Sequence, residues 1–496
     1  MRGDDMSLKL IYGDIALGAA EDATASVTDA ESFSSPASLP FGVNTGAVAT
    51  LERNAWGLST DYKAKSTQPF SLWSESVSDA EGVFDAPPQI ILDFDNQYAA
   101  TGLTFRFSPG ANEYCSEIGV VWYQNGSIRD SGTFYPDSAQ YALENTVEAF
   151  DRVVITLYRT NLPNRRAKLE YIGIGIIREF GAKELTGASF IHELDLVSSS
   201  VPVNVMDASF HSSTDTDYIF QKKQPVEAYD GESLIGVYYI ESGERTGAND
   251  YSISCQDAIG TLDLDTYAGG VWFEDTPIAD IISEVVNGAF IVDISSDLTN
   301  ATLRGCIPEC SKRQALQHIV FAVGACIDTS GTAKIKVFKP PTGTGAEIPA
   351  TETYTGGKVE TSDTVTAVSL MAYRIANATP ADGAETIEIN GGKYPLYSYE
   401  HIAQNPNVSS GTLPNVVKYE RCYLINADNA EERVQALLAY HMRRNKYSAK
   451  HVLHGQKLGE RVSVALPWGG KVSANITKMK LSISGINASD SEFRLD

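Results

Sequence analysis

From residue 46 to 178 the chain runs in short apolar or alternating stretches. PQIILDFD, TGLTFRFS, EIGVVWYQNG, RVVITLYR and KLEYIGIGII are rich in Val, Ile, Phe and Tyr and are separated by turn residues. That texture predicts strands. Asn125-Gly126 follows Val120-Val121-Trp122, the dipeptide a two-residue hairpin favours. Helical periodicity is almost absent. The expectation is an all-β domain, a sandwich or jelly roll.

The pattern stays β-like over 179–245 and then mixes over 246–340. ANDYSISCQDAIGTLDLD joins a strand to a short helical stretch. TPIADIISEVV predicts a helix capped by Thr276 with Pro277 at its first position, closed by Gly288. SKRQALQHIVFAVGA predicts another, with Ser311 as cap and Gln314 at the capping-box position. AKIKVFKP then reads as a strand. Residues 340–357 read as a loop, after which strands resume with TVTAVSLMAYRI and TIEINGGKYPLYSY, the latter with a second Asn-Gly turn, and the ending carries a Gly-Gly turn. One late helix is predicted over 426–446, with Asn or Asp at its cap, acids in its first turn and bases in its last. Residues 1–45, rich in Ala, Ser, Asp and Gly, read as a flexible arm. The fold class is therefore mainly β with α+β insertions.

At 496 residues and 43% hydrophobic, the chain can bury several cores. A net charge of −24 argues against a surface built to wrap nucleic acid or to dock on anionic lipid. No run approaches the roughly 20 apolar residues of a membrane span. The acidic start MRGDDMSLKL is not a secretory leader, so synthesis in a bacterial cytoplasm without a signal peptide is expected. Cys115, Cys255, Cys306, Cys310, Cys326 and Cys422 form no CxxC pair and read as buried thiols. Cys306, Cys310 and His318 lack the further ligands a metal site needs, as does the His451/His454 pair with His441 upstream.

Nucleophile-elbow, phosphate-loop, zinc-protease, calcium-loop and dinucleotide motifs are all missing, so neither an enzyme nor a cofactor is expected. Asp93 and Asp95 flank Phe94 on one strand and thus share a face. In so acidic a chain such a pair says little about glycoside hydrolysis. The block 46–178 does hold the makings of a carbohydrate site. Trp73, Tyr98, Trp122, Tyr123 and Tyr135 could stack on sugar rings, and Asp93, Asn96, Asn125 and Arg129 could bond hydroxyls. Equally, these aromatics could fill the sandwich core or a subunit interface.

One ordered series carries a resemblance. Gly236–Tyr239 (GVYY), Asp257–Asp263 (DAIGTLD), the helix in TPIADIISEVV, Gly305–Pro308 (GCIP) and Arg313–Ala325 (RQALQHIVFAVGA) follow one another. Together they resemble the hub proteins of phage tails and tail-derived particles. TGAVATLERNAWGLSTDY, WSESVSDAEGVFDAPPQIILDF and YAATGLTFRF resemble the inserted galactose-binding-type jelly roll of tail-tip hubs from Gram-positive phages. The ending from AEERVQALLAYHMRRNK resembles the hub's terminal helix and returning strands. The resemblance spans about 46–496.

It implies tail-hub β-barrels, two per chain, so that a homotrimer imitates a six-fold ring. The expected domains are an arm at 1–45, a carbohydrate-binding-like sandwich at 46–178 and a first barrel part at 179–245. An α+β hub domain at 246–340 and a second barrel part at 341–496 complete them. The implied partners are the tail spike or needle, the tail tube or distal tail protein, the tape-measure protein and other baseplate subunits. DNA enters only as passing cargo, which an acidic lumen would repel, and no stable membrane insertion is implied. Such a subunit belongs to the virion tail tip or baseplate, or to a bacteriocin or contractile injection system. Two alternatives remain: an adsorption protein binding cell-surface glycan through the sandwich, and a tail-borne cell-wall hydrolase.

Overall fold

The computed structural model describes residues 8–16, 19–29, 56–58, 64–66, 72–107, 112–212, 220, 222–343, 345–389, 391–409, 411–482 and 488–496. The described chain is mainly β and separates into two compact units, Ile11–Glu179 and Met1–Leu10 with Phe180–Asp496. The first unit starts at Ile11 rather than near residue 46. The described residues 8–16 and 19–29 depart from the flexible arm expected of them: strands β1 (Leu8–Ile15) and β2 (Thr24–Val27) form there. Leu8, Leu10 and Tyr12 alternate into the interior, a period-two signal that the Ala- and Ser-rich surroundings conceal. Residues 1–7, 17–18 and 30–45 of the expected arm lie outside the described residues.

The first unit is built on long antiparallel strands: β3 (Gln89–Arg106), β4 (Cys115–Gln124), β5 (Ser127–Phe134), β6 (Gln140–Thr160) and β7 (Tyr171–Phe180). β6 lies between β3 and β4, β5 flanks β4, and β2 flanks the first half of β3. Past a bulged stretch between Asp93 and Gly102, β3 also pairs with β7 through Leu103–Arg106. Inward positions alternate with outward ones, so Ile118, Val120 and Trp122 fill the core with Val153, Ile155, Leu157, Phe150 and Phe105. The β4–β5 turn adopts the geometry its Asn-Gly pair predicts, with Asn125 at φ 49° and Gly126 at φ 76°.

The second unit holds two curved sheets that share one strand. β8 (Leu185–Glu193), β9 (Val205–His211), β10 (Pro225–Asp230), β11 (Ser233–Arg245) and β12 (Asp250–Gln256) form the first, in spatial order β8–β9–β12–β11–β10. The second contains β13 (Ala346–Ile348), β14 (Lys358–Thr361), β17 (Asn445–Val452), β18 (Arg461–Ala465), β19 (Lys471–Ser482) and β20 (Ala488–Leu495). Its order is β14–β17–β20–β19–β18–β13. β19 pairs with β18 through Lys471–Asn475 and with β8 through Lys478–Ser482, so one continuous strand serves both sheets. Ile348 and Val359, from the two edge strands, pack into one core with Tyr447, Val464, Ile476 and Phe493. The sheet has therefore curled into an open barrel. The segment 340–357, expected to be a loop, contributes β13, which runs parallel to β18.

Between these sheets in sequence lie α1 (Ala258–Asp263), α2 (Ile278–Val286) and α3 (Lys312–Val323), and later β15 (Ala367–Ile375), β16 (Gly392–Gln404) and α4 (Ala430–Met442). Their apolar faces share the largest core, including Ile281, Val285, Leu316, Ile319, Val320, Leu370, Val434 and Leu437. α3 carries the expected capping box, with Ser311 accepting from Gln314 N and the Gln314 side chain accepting from Ser311 N. α2 differs from its reading: Pro277 is the cap, because a strand over Trp272–Pro277 runs directly into the helix, and Asn287 closes it in the left-handed conformation. The late helix is shorter than 426–446. Asn426 and Asn429 instead form a side-chain-bonded turn ahead of it.

Candidate assembly core and ligand face

Asp257 of the hub-like series sits in a buried polar cluster. Asp257 directly follows β12 and caps α1, accepting from Gly260 N at 3.1 Å. Its other oxygen accepts from Asn204 N at 3.1 Å and from the Thr329 hydroxyl at 2.6 Å. Asn204 Nδ2 also donates to Thr329 at 2.8 Å. Three segments far apart in sequence thus meet at one carboxylate. Burial, opposed by these donors, holds the Asp257 carboxyl up at about 6. Tyr238, of the GVYY strand, is buried with its hydroxyl 2.6 Å from His192 Nε2. Burial pushes His192 down to about 4, so its ring is neutral at pH 7.

At the other end of α1, Asp263 accepts from Ser311 Oγ at 2.7 Å and from Arg313 at 3.0 Å. Arg313 also donates to the Val201 carbonyl at 2.7 Å, tying α3 to the segment after β8. The GCIP glycine has a steric cause. Gly305 sits at φ 134°, and a Cβ there would stand 2.1 Å from the Tyr423 carbonyl oxygen. Gly305→Ala is therefore expected to cost more than about 2 kcal/mol, from backbone displacement on top of an unfavourable φ. A melting temperature within a degree of the wild type would refute this.

The predicted carbohydrate residues do not form one site. Trp73 and Trp122 are corrected to core residues, 1% and 0% exposed. Each lies at an inward position of its strand, and neither ring can meet a ligand. Tyr98 is half-buried, edge-on to Phe94, with its hydroxyl bonded to Asp22. Arg129 is exposed and donates to the Glu148 carbonyl at 3.2 Å, and Tyr135 projects from the end of β5. Asn96 and Asn125 donate backbone N–H groups to Asp22 and Asp151 respectively.

Asp93 and Tyr123 do share a surface, the outward face of β2–β3–β6–β4–β5. Asp93 is ion-paired with Arg152, and Arg152 is paired in register with Tyr123. The same face carries Tyr158, absent from the sequence-based set. Its ring covers Gly119, where a Cβ would lie 2.7 Å from Cε2. Gly119 pairs with Thr156, so Tyr158 reaches it diagonally, a relation that only the register reveals.

Among the described residues no group of His, Cys, Asp and Glu is placed to hold a metal. The six cysteines are free thiols, five of them buried. His451 is buried, with Nε2 at 3.0 Å from the Ser491 hydroxyl, whereas His441 contacts the Tyr419 hydroxyl and His454 contacts Glu352. No helix among the described residues is long and apolar enough to cross a membrane.

No family model matches the chain, and no curated protein matches it. Among solved structures it is similar to the tail protein from Neisseria meningitidis MC58, with 14% identity, 64% of this chain and 93% of that one covered, and a TM-score of 0.46. It is similar to the 43 kDa tail protein of prophage MuSo2 from Shewanella oneidensis, with 10% identity, coverage of 64% and 95%, and a TM-score of 0.46. A third is prophage tail protein gp18 from Listeria monocytogenes EGD-e, with 11% identity, coverage of 64% and 90%, and a TM-score of 0.43. These structural neighbours are tail proteins, two of them from prophages; with TM-scores below 0.5, the likeness by itself assigns this chain no role.

Proposed function

We propose that this chain is a structural hub subunit of a phage-type tail, a trimeric ring seating the central spike beneath the tail tube. The observation that carries this reading is the packing of the hub-like series into one core, where Ile259, Ile281, Ile307 and Leu316 meet. Asp263 of α1 pairs with Arg313 of α3, and Asp257 ties α1 to Asn204 and Thr329, beside two curved sheets that share β19. Two curved sheets in one chain suit a trimer that must face a six-fold tube. The edge strands β13 and β14 are three and four residues long. Short edges of this kind resist random pairing while leaving room for a neighbouring copy to extend the sheet. No step of this role needs catalysis; it is mechanical.

Mass photometry of the purified chain tests the proposal. Three copies of the 53.6 kDa chain should associate, alone or upon addition of spike protein. A monomer at every concentration, indifferent to spike and tube proteins, would overturn it.

A second reading, adhesion to a cell-surface glycan through the first unit, is favoured by one observation. Asp93, Tyr123 and Tyr158 lie on the same outward sheet face, which mixes aromatic, hydroxyl and amide groups.

A further inference from the structure

We infer that the outward face of the β2–β3–β6–β4–β5 sheet is a binding face for a neutral oligosaccharide, with Tyr158 and Tyr123 as its stacking platforms. The inference rests on the glycan-binding reading and moves its site away from Trp73 and Trp122.

Register defines the face as three rungs. Gln89, Thr156, Gly119 and Thr133 lie side by side across β3, β6, β4 and β5. Next come Ile91, Val154, Val121 and Ser131, and then Asp93, Arg152 and Tyr123. Strands stand about 4.8 Å apart and alternate residues about 6.8 Å apart, so the rungs cover roughly 14 Å by 14 Å. The middle rung is a low aliphatic floor. Hydroxyls and an amide border it, with Gln89 Nε2 already donating to Thr156 at 3.3 Å.

The two ends are aromatic. Tyr158 is 37% exposed, and its ring leans over Gly119 from the diagonal position. A side chain at 119 would displace that ring, whereas glycine lets it rest against the sheet. Tyr123 stands at the opposite end beside Arg152. The amphipathic rings offer stacking area, and the hydroxyls and Gln89 offer directional donors and acceptors.

Charge narrows the ligand. The acid and the base of the last rung, Asp93 and Arg152, are bonded to one another, so the face carries no net charge although the chain carries −24. A polyanion or a polycation would find no complement there. A neutral sugar satisfies the hydroxyls, the amide and the rings together.

The test uses the full-length chain on an array of neutral hexose oligosaccharides, followed by titration calorimetry with the best-bound member. Tyr158→Ala and Tyr123→Ala should each weaken binding by about tenfold, whereas Tyr158→Phe should largely preserve it. Tyr135→Ala, which alters an exposed ring outside the rungs, should bind like the wild type. Unchanged melting temperatures would show that the variants are folded. If the wild type binds and the two alanine variants bind equally well, the face is wrong while the glycan reading stands. If the wild type binds no neutral saccharide, both fall.

Discussion

Glu113→Ala is expected to destabilise the first unit by about 3–5 kcal/mol, the largest single-residue effect predicted for this chain. Glu113 meets Lys168 on one carboxylate oxygen and Arg165, at 3.1 Å, on the other. The Lys168 side chain is 2% exposed and that of Glu113 9%. Removing the acid takes the Glu113 counter-charge away from a buried ammonium, so less of the solvation lost on burial is compensated. The surroundings are dry enough to push the neighbouring Cys115 thiol up to about 12 even with Lys168 pulling the other way.

Removing both charges has a different outcome. Glu113→Leu with Lys168→Met should recover most of the loss, because a buried pair replaced by apolar groups of similar volume is often near neutral. Calorimetric unfolding of the single and double variants measures this directly. A single-variant loss below about 1 kcal/mol would mean that water reaches the pair.

Asp257 should make the second unit less stable as pH rises. Its carboxyl titrates at about 6 in the folded chain against 3.8 for an unperturbed aspartate, raised first by burial. Well below pH 3.8 both the folded and the unfolded chain hold the proton, and the group costs nothing. Between 3.8 and 6 the unfolded chain loses the proton and the folded one keeps it. Stability therefore falls with rising pH across this window, by about 3 kcal/mol in total. Asp328, also raised by burial, has the same sign.

Asp257→Asn should remove Asp257's share of this slope. At pH 7 it should still cost about 1–3 kcal/mol, because one amide oxygen must replace two that accept from Gly260 N, Asn204 N and Thr329. Denaturant titrations from about pH 4 to 7 would show it. A variant with the wild-type slope would mean that Asp257 titrates normally and that other groups set the pH response.

The local elements were legible wherever a side chain acts on its own backbone. Asn125-Gly126 makes its turn because both residues tolerate positive φ, and Ser311 with Gln314 closes a capping box within three residues. Such contacts need no distant partner. α2 shows where that logic stops. Thr276 has the chemistry of a cap, but it is held in a strand paired with Leu303, so Pro277 takes the cap position.

By itself, then, the sequence determined a mainly β chain with its hairpin turns, its helix caps and an ordered hub-like series, because period and propensity act over a few residues. Only the tertiary structure decided that Leu8–Ile15 and Thr24–Val27 form strands, that Trp73 and Trp122 are core, and that Tyr158 joins Asp93 and Tyr123 on one face. The reason is register. A strand's alternation says that successive residues point opposite ways, but which way is inward depends on pairing with segments tens of residues away. The same holds for Asp257: its cap on α1 is a local contact, but only folding brings Asn204 and Thr329 to its carboxylate.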